Sequence, residues 1–509
     1  MRTLKVGRGA DLTTHRATAP SAGSNFWRWL VGGALLFVLA AAPPASGLGH
    51  LLPSGRSGTQ DAAAPAAAAA VRPNVFFYNL DDLRDAFPGG IDPLDYMPQV
   101  RTWMVAGKRY KKTFVVNPSC CPSRSSLMTG RFPHNNGILL QGDGPRFDFA
   151  HSMGCYLDGA GYATYADGKF LTTWPRDQRP PCFDHSTVMF GGYNNVNVRV
   201  DGVSQKAPGY STTYLGTRGR EYITAALAGS APFLLYETPQ APHWVDVTQP
   251  DGTTTDLAVP DAKYRDAPVG PCAGIPEADR SDKPAYVRRA FSVTTARAQE
   301  VCESMMRAVM TADDEFGATM QLLADRGVLD DTLVIFSSDN GFNWGEHGRM
   351  SKFTPYEPSM RVPLLMRWPG HIAAGTNTAR LVSYVDILPT ILQAAQVTLP
   401  VGAPPLDGES LLRPTSRTTL YGEHHNDPTV PAINTWRMVR TATAKYVENY
   451  DAAGAVVFRE YYNLVKDPAE NTNALGDANT ANDPPAATVA ALASTLTAYS
   501  TCSGSACVR

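Results

Sequence analysis

No two cysteines in this chain are spaced C-x2-C, which argues against a metal–thiolate site. No basic run stands out either. Lys+Arg number 45 against 47 Asp+Glu, so nucleic acid is not an expected partner and a solvated, mixed-charge surface is the default. No internal repeat is visible, which sets repeat architectures aside. The apolar run from Leu30 to Ala42 falls short of the roughly 20 residues a membrane helix needs, and no cysteine directly follows it to carry a lipid. What remains is a chain of 509 residues, 43% hydrophobic and 18% charged, able to bury a large core and too long for one simple domain.

Arg2, Lys5, Arg8, Arg16 and Arg28 precede that apolar run, and Ala45, Ser46 and Gly47 follow it. Residues 1–47 therefore read as a signal peptide, or as an uncleaved N-terminal anchor, the one way this chain would meet a membrane. Residues 48–72 read as an Ala/Pro-rich linker, and folded protein is expected from Pro73. The expected location is secreted or in the cell envelope. Eight cysteines fit that compartment. Setting aside the adjacent Cys120–Cys121 leaves six. Sequence order suggests Cys155–Cys182, Cys272–Cys302 and Cys502–Cys507, among fifteen possible connectivities.

Asn74 to Leu80, Pro232 to Glu237 and Thr332 to Ser338 are continuous apolar runs, as buried parallel strands are. Helical patterns lie roughly over Ala285 to Asp325 and Val385 to Ala395, and the alternation predicts an α/β sheet. Two runs end in acid, at Asp81-Asp82 and at Asp339-Asn340. In open α/β sheets that edge binds ligands, and these oxygens suit a hard cation, calcium or magnesium. From Leu420 the chain reads as short antiparallel strands, with one late helix near Ala486 to Tyr499.

The most informative stretch is Asn-Pro-Ser-Cys-Cys-Pro-Ser-Arg-Ser-Ser-Leu-Met-Thr-Gly-Arg, residues 117–131. Pro118 keeps Asn117 out of helix, and Pro122 has the backbone angle of a first helical residue. Cys120 is then expected just before a helix N-terminus, where free amides favour an anion. Arg124 lies one turn in, able to reach the same anion. Cys121 is expected to be a packed thiol.

Cys120-x-Pro122-Ser123-Arg124, extended through Thr129-Gly130-Arg131, resembles the signature of type I sulfatases. The likeness continues in order through Asp167-Gly168-Lys169, Ala241-Pro242-His243, Ser338-Asp339-Asn340-Gly341 and Ser351-Lys352, and covers roughly residues 73 to 475. It is strongest toward the N-acetylglucosamine-6-sulfatases and extracellular heparan sulfatases. The resemblance implies an alkaline-phosphatase-like fold: a catalytic α/β domain over 73–410 with a central, mostly parallel sheet, and a smaller C-terminal α+β subdomain over 411–509 with an antiparallel sheet.

It also implies that Cys120 is oxidised to formylglycine (3-oxoalanine) by a formylglycine-generating enzyme, a maturation partner acting before folding. The hydrated aldehyde would attack the sulfur of a sulfated small molecule or glycan, and the alcohol would leave. The second hydroxyl would then expel sulfate. By the same likeness Asp81, Asp82, Cys120, Asp339 and Asn340 would hold calcium, with magnesium the other candidate. Arg124 would hold the aldehyde hydrate. Lys169, Lys352 and His243 would contact the sulfate, His243 as proton donor, and His347 would line the substrate pocket. Leu171 departs from many arylsulfatases, which have histidine there, so the base of the last step is open among His134, His243 and His347. Two other readings are a phosphonate monoester or phosphodiester hydrolase of the same superfamily and an inactive exported glycan-binding protein.

Overall fold

A computed structural model describes residues 72–509 apart from 87–89, 176, 249–252, 275, 290–292 and 431–432. The expected signal or anchor, and the linker up to residue 71, lie outside the described residues.

A ten-stranded sheet carries the fold. Its strands are β1 (Asn74–Leu80), β2 (Lys108–Tyr110), β3 (Ala163–Lys169), β4 (His185–Met189), β5 (Asn197–Val200), β6 (Val203–Lys206), β7 (Phe233–Thr238), β8 (Thr332–Ser338), β9 (Leu364–Arg367) and β10 (Gly375–Asn377). They lie in the order β10-β2-β9-β8-β1-β7-β3-β4-β5-β6. The middle five, β8-β1-β7-β3-β4, are parallel, and β9 and β5 join them antiparallel on either side. The unbroken apolar strings have a direct cause. Val75 and Phe77 of β1 pack into one core, while Phe76, Tyr78 and Leu80 pack into another on the opposite face.

The helices that matter for the site are α1 (Cys120–Thr129), α2 (Ser211–Ala226), α3 (Thr295–Asp325), α4 (Ile387–Ala394) and α5 (Ala486–Tyr499). Buried residues of α2 and α3 share the core with Phe76 and Tyr78, and Phe316 of α3 lies 5.9 Å from Phe76, ring to ring. Leu127 and Met128 of α1, with Ile387 and Leu388 of α4, belong to the other core. The long helix starts later than its periodicity suggests. Thr294 caps it by accepting a hydrogen bond from the Arg297 amide, and Ala285–Arg288 forms a separate turn after Pro284. Likewise Tyr384–Asp386 is a tight 3-10 turn leading into α4 rather than part of it.

Beyond residue 411 comes an antiparallel sheet of β11 (Thr419–His424), β12 (Thr435–Thr441), β13 (Ala444–Tyr450) and β14 (Val456–Asn463). One set of its side chains, Trp436, Met438, Val447 and Tyr462, joins the core that holds Val75 and Phe77. Another set, Tyr421, Val439 and Tyr446, packs against Leu492, Leu496 and Tyr499 of α5. Cysteines 155 and 182, 272 and 302, and 502 and 507 are disulfide-bonded, the pairing that sequence order suggests. Cys120 and Cys121 are free and buried.

Candidate active site

The helix α1 begins at Cys120 itself, two residues before the Pro122 start that the sequence suggests, with Ser119 as its extended N-cap. Pro122 is the third helical residue. That position is tolerated because first-turn amides lack intrahelical acceptors. The first helical bond runs from the Ser123 amide to the Ser119 carbonyl, 2.9 Å. Every residue of α1 is buried, so its polar side chains have to find partners inside the protein. Arg124 finds three. Its Nε donates to Asp339 Oδ2 at 2.8 Å, its Nη1 donates to the Lys169 carbonyl at 2.6 Å, and its Nη2 stands 3.5 Å from Asp81 Oδ2.

The other groups arrive from the C-terminal ends of parallel strands, the edge where α/β sheets hold ligands. Asp81 and Asp82 follow β1, Lys169 ends β3, His243 follows β7, and Asp339 and Asn340 follow β8. Asp82 has a φ of 73°, left-handed backbone that aspartate adopts more readily than most residues. Its amide donates to Asp339 Oδ1 at 3.1 Å and its Oδ1 accepts from Asn340 Nδ2 at 2.6 Å. Lys352 directly follows the second strand of the short ribbon that pairs Asn343–Trp344 with Met350–Ser351. Its ammonium ion-pairs with Asp82, lies 3.3 Å from Asn340 Oδ1 and 2.9 Å from Cys120 Sγ. Lys169 ion-pairs with Asp81 and its Nζ lies 3.5 Å from Cys120 Sγ. Asp81 Oδ1 is 3.7 Å from the same sulfur.

Three buried carboxylates thus face three cations around one sulfur. Burial alone would raise the Asp81 carboxyl, but Lys169, His243 and Arg124 outweigh it and lower it to about 2. Asp82 is likewise held down against burial, chiefly by Lys352 and then His243. Burial disfavours charge on Lys169 and Lys352, yet Asp81 and Asp82 respectively win and raise both. The Cys120 thiol goes the other way, pushed up by burial to about 11 despite the two lysines. Burial, then Lys169, hold the His243 imidazole below its ordinary value. Its Nδ1 is bonded to the Trp244 carbonyl, which leaves Nε2 toward Asp82 Oδ2, 3.7 Å away.

The donor set fits a hard divalent cation. Ligand atoms of Asp81, Asp82, Cys120 and His243 lie within 4.8 Å of one another, and the buried Asp82 Oδ2 has no hydrogen-bond partner. Asp339 and Asn340 stand beside this group through their bonds to Asp82.

Cys120, Lys169 and His243 line a pocket of about 430 Å³. Leu171 lines it too, at the position where many arylsulfatases have histidine. His347 is not among the lining residues. Its Nδ1 bonds Glu277 at 2.9 Å and its ring packs 4.0 Å from that of Tyr356. His134 is occupied elsewhere, with Nδ1 2.8 Å from Glu423 Oε1 and Nε2 3.2 Å from the Cys502 carbonyl. Cys121 is the expected packed thiol, and its amide donates to Gln141 Oε1 at 2.9 Å. Sequence reasoning missed several lining residues, the polar or aromatic Gln141, Trp174 and Gln240 among them. Gln240 alone carried a signal, lying inside Pro239-Gln240-Ala241-Pro242-His243.

Comparison with known proteins bears on this arrangement. The sulfatase family profile matches residues 73–397, and that of the N-sulphoglucosamine sulphohydrolase C-terminal region matches 345–493. An arylsulfatase of Volvox carteri is 30% identical over 485 residues, spanning 81% of this chain and 73% of that one. An N-acetylglucosamine-6-O-sulfatase of Bacteroides thetaiotaomicron is 25% identical, over 84% and 87% of the two chains. The Homo sapiens N-acetylglucosamine-6-sulfatase is 27% identical, over 80% and 82%. Among solved structures, one in complex with its substrate D-glucosamine-2-N,6-O-disulfate superposes with a TM-score of 0.64 at 21% identity, over 84% of this chain and 97% of that one. A phosphonate monoester hydrolase from Silicibacter pomeroyi gives 0.64 at 20%, over 84% and 94%. At such identities these superpositions speak for an alkaline-phosphatase-like fold alone. The sequence matches carry the rest: the chain belongs to the sulfatase family and is a sulfuric ester hydrolase.

Proposed function

We propose that this enzyme removes sulfate from sulfated carbohydrates, using a formylglycine made from Cys120 and a calcium ion held by Asp81, Asp82, Asp339 and Asn340. The thiol of Cys120 occupies the place of the aldehyde hydrate. The observation that carries the reading is the convergence of Lys352, Lys169 and Asp81 on that one sulfur, at the N-terminus of a buried helix. The formylglycine supplies a carbonyl able to carry two hydroxyls, and calcium supplies charge against the sulfate oxygens.

The chain's own residues do the remainder. Arg124 fixes Asp339 and the Lys169 carbonyl, so the nucleophile's surroundings hold still. Lys169 and Lys352 present fixed charge to the sulfate in a site where water does not screen it. His243 offers Nε2 to the leaving alcohol, and a sulfate in the pocket favours the charged imidazole that burial and Lys169 oppose. Glycan as the sulfated group is supported by the N-acetylglucosamine-6-sulfatase relatives and by Trp174, Gln141 and Gln240 in the pocket wall. An extracytoplasmic location is supported by three disulfides and an extracellular sulfatase homologue of Drosophila melanogaster, 28% identical, although this chain spans only 31% of that protein. Among the described residues no helix is long and apolar enough to cross a membrane.

The test is inorganic sulfate release from sulfated saccharides by protein matured with a formylglycine-generating enzyme, alongside the mass of the peptide spanning Cys120. A loss of about 18 Da is expected there. Cys120→Ala abolishes turnover and Cys121→Ala keeps most of it. An unmodified Cys120 peptide in fully active protein refutes the proposal. The phosphonate hydrolase likeness makes a phosphate diester the control substrate, and sulfate ester hydrolysis is expected to be the faster.

A further inference from the structure

A cleft of about 640 Å³ shares no lining residue with the catalytic pocket. Three segments distant in sequence wall it: the turn around Tyr286 and Arg289, the loop carrying Arg349, and the C-terminal sheet around Asn434 and Asp451. Buried arginines elsewhere in the fold meet carboxylates, as Arg417 meets Asp386 at 2.6 Å and Arg440 meets Glu357 at 2.9 Å. Arg289, which is exposed, and Arg349, which is half-buried, do not: neither has a carboxylate within 4.0 Å among the described residues. Arg349 spends one contact on the Tyr286 carbonyl, 3.3 Å away, and lies 6.0 Å from that ring. Burial, and Arg280 beside it, push its guanidinium below the usual range, so it stands where added negative charge is favoured. Asp451 is the one carboxylate in the lining, and its Oδ1 is taken by the amides of Ala453 and Ala455 at 2.9 and 2.8 Å.

We propose that this cleft is an anion subsite, in which Arg289 and Arg349 grip a second sulfate or a carboxylate of the glycan whose ester lies at Cys120. The proposal rests on the glycan reading above. A guanidinium presents a planar fork of donors that matches either anion, and two of them in one cleft gain most from a bound charge. Arg349 stands three residues before Lys352, so their Cα atoms are at most about 11 Å apart. A polyanionic chain offers charges on that scale. A single small ester does not.

The test compares a heparin-derived hexasaccharide with an aryl sulfate as substrates for wild type, Arg289→Gln, Arg349→Gln and the double variant. The double variant is expected to raise the hexasaccharide KM by about tenfold or more, while aryl sulfate kcat/KM stays within about twofold. Arg349→Lys, which keeps the charge and loses the fork, is expected to fall between. Unchanged hexasaccharide KM, or equal loss on both substrates, overturns the proposal.

Direct hexasaccharide binding to Cys120→Ala protein, with and without the arginine changes, separates this idea from the glycan reading. Wild type that cleaves aryl sulfate and no saccharide sinks that reading. Binding that disappears with the arginines still supports the cleft, and binding indifferent to them, or absent, overturns it. Sodium sulfate that competes as well as an equal concentration of saccharide overturns the assignment to a glycan.

Discussion

Asp82 sits where the site's bonds cross: it meets Lys352, Asn340, the Asp339 side chain and, at longer range, His243. Charge added or lost at any of these is felt by the others. Lys352→Met is expected to lower kcat by about 10²–10³, the usual cost of removing one fixed donor from a reacting oxyanion, with a smaller effect on KM. Steady-state kinetics on an aryl sulfate check it, and a KM effect alone would reassign Lys352 to ground-state binding. Gln240 is a different case. Its Oε1 is buried, unpartnered, and belongs to the pocket wall. Gln240→Ala is expected to raise the saccharide KM by about tenfold and leave aryl sulfate turnover alone, because it removes a hydrogen bond that only the sugar can make. Both residues bear on what a sequence can tell. Asp81-Asp82 and Asp339-Asn340 were legible because acid directly after an unbroken apolar strand is conspicuous. Gln141 opens a short 3-10 turn and Trp174 stands in a loop, neither with such a mark, and tertiary packing alone brings them to Cys120.

Between β3 and β7 the chain does something no strand pattern announces. Asp167 and Glu237 are register partners on adjacent parallel strands, and both carboxylates are buried without hydrogen-bond partners. Gly219 of α2 makes room, since a Cβ there would meet Glu237 Oε2 at 2.6 Å. Next along, Gly168 (φ +114°) lies so close to β7 that a Cβ would meet the Thr238 carbonyl at 2.1 Å. Thr238 Oγ1 in turn donates to the Lys169 carbonyl at 2.6 Å, so β7 supports Lys169 from behind. Burial, with Glu315 adding to it and Arg220 opposing, raises Glu237 from 4.5 to about 8. Asp167 is raised too, by burial and then by Glu237. The unfolded chain gives up the Glu237 proton near 4.5, so between about 4.5 and 8 the native state holds more protons and stability falls as pH rises. Glu237→Gln is expected to gain on wild type across that window by at most about 1.4 kcal/mol per pH unit for the one proton. Denaturant midpoints at pH 5 and pH 8 measure this, and equal slopes for the two proteins would refute it. Element reading failed further along, at the start of α3. A helix edge set by one Thr294 hydroxyl is invisible to periodicity, whereas strands apolar on both faces could hardly be missed.

At the scale of the whole molecule, the groups of the proposed site join segments more than 250 residues apart, as Asp82 joins Lys352 across 270 positions. A cation bound among Asp81, Asp82 and Asp339 therefore ties the chain together as well as serving the reaction. Chelation is expected to abolish activity and to lower the melting temperature, by the equivalent of about 2.7 kcal/mol where the ion was present at a hundred times its dissociation constant. Calcium is expected to restore both. A melting temperature indifferent to chelator would place the ion elsewhere, or nowhere. The division at about residue 410 that we propose follows a shift in sequence texture, and the family matches at 73–397 and 345–493 overlap across the approach to it. The parallel core and the late helix were readable from runs and spacing. The cleft between the C-terminal sheet and the Arg349 loop was not, because nothing local records which distant surfaces will meet.

Cys120 is only 2% exposed, first residue of a helix buried on every side. On the conversion of Cys120 that we propose, a maturation enzyme could not reach it there, so each copy's fate would be sealed while the polypeptide is still slack. Specific activity then becomes a head count of a race already run. Raising the supply of the modifying enzyme during synthesis is then expected to raise specific activity, and incubating the purified product with it is expected to change nothing.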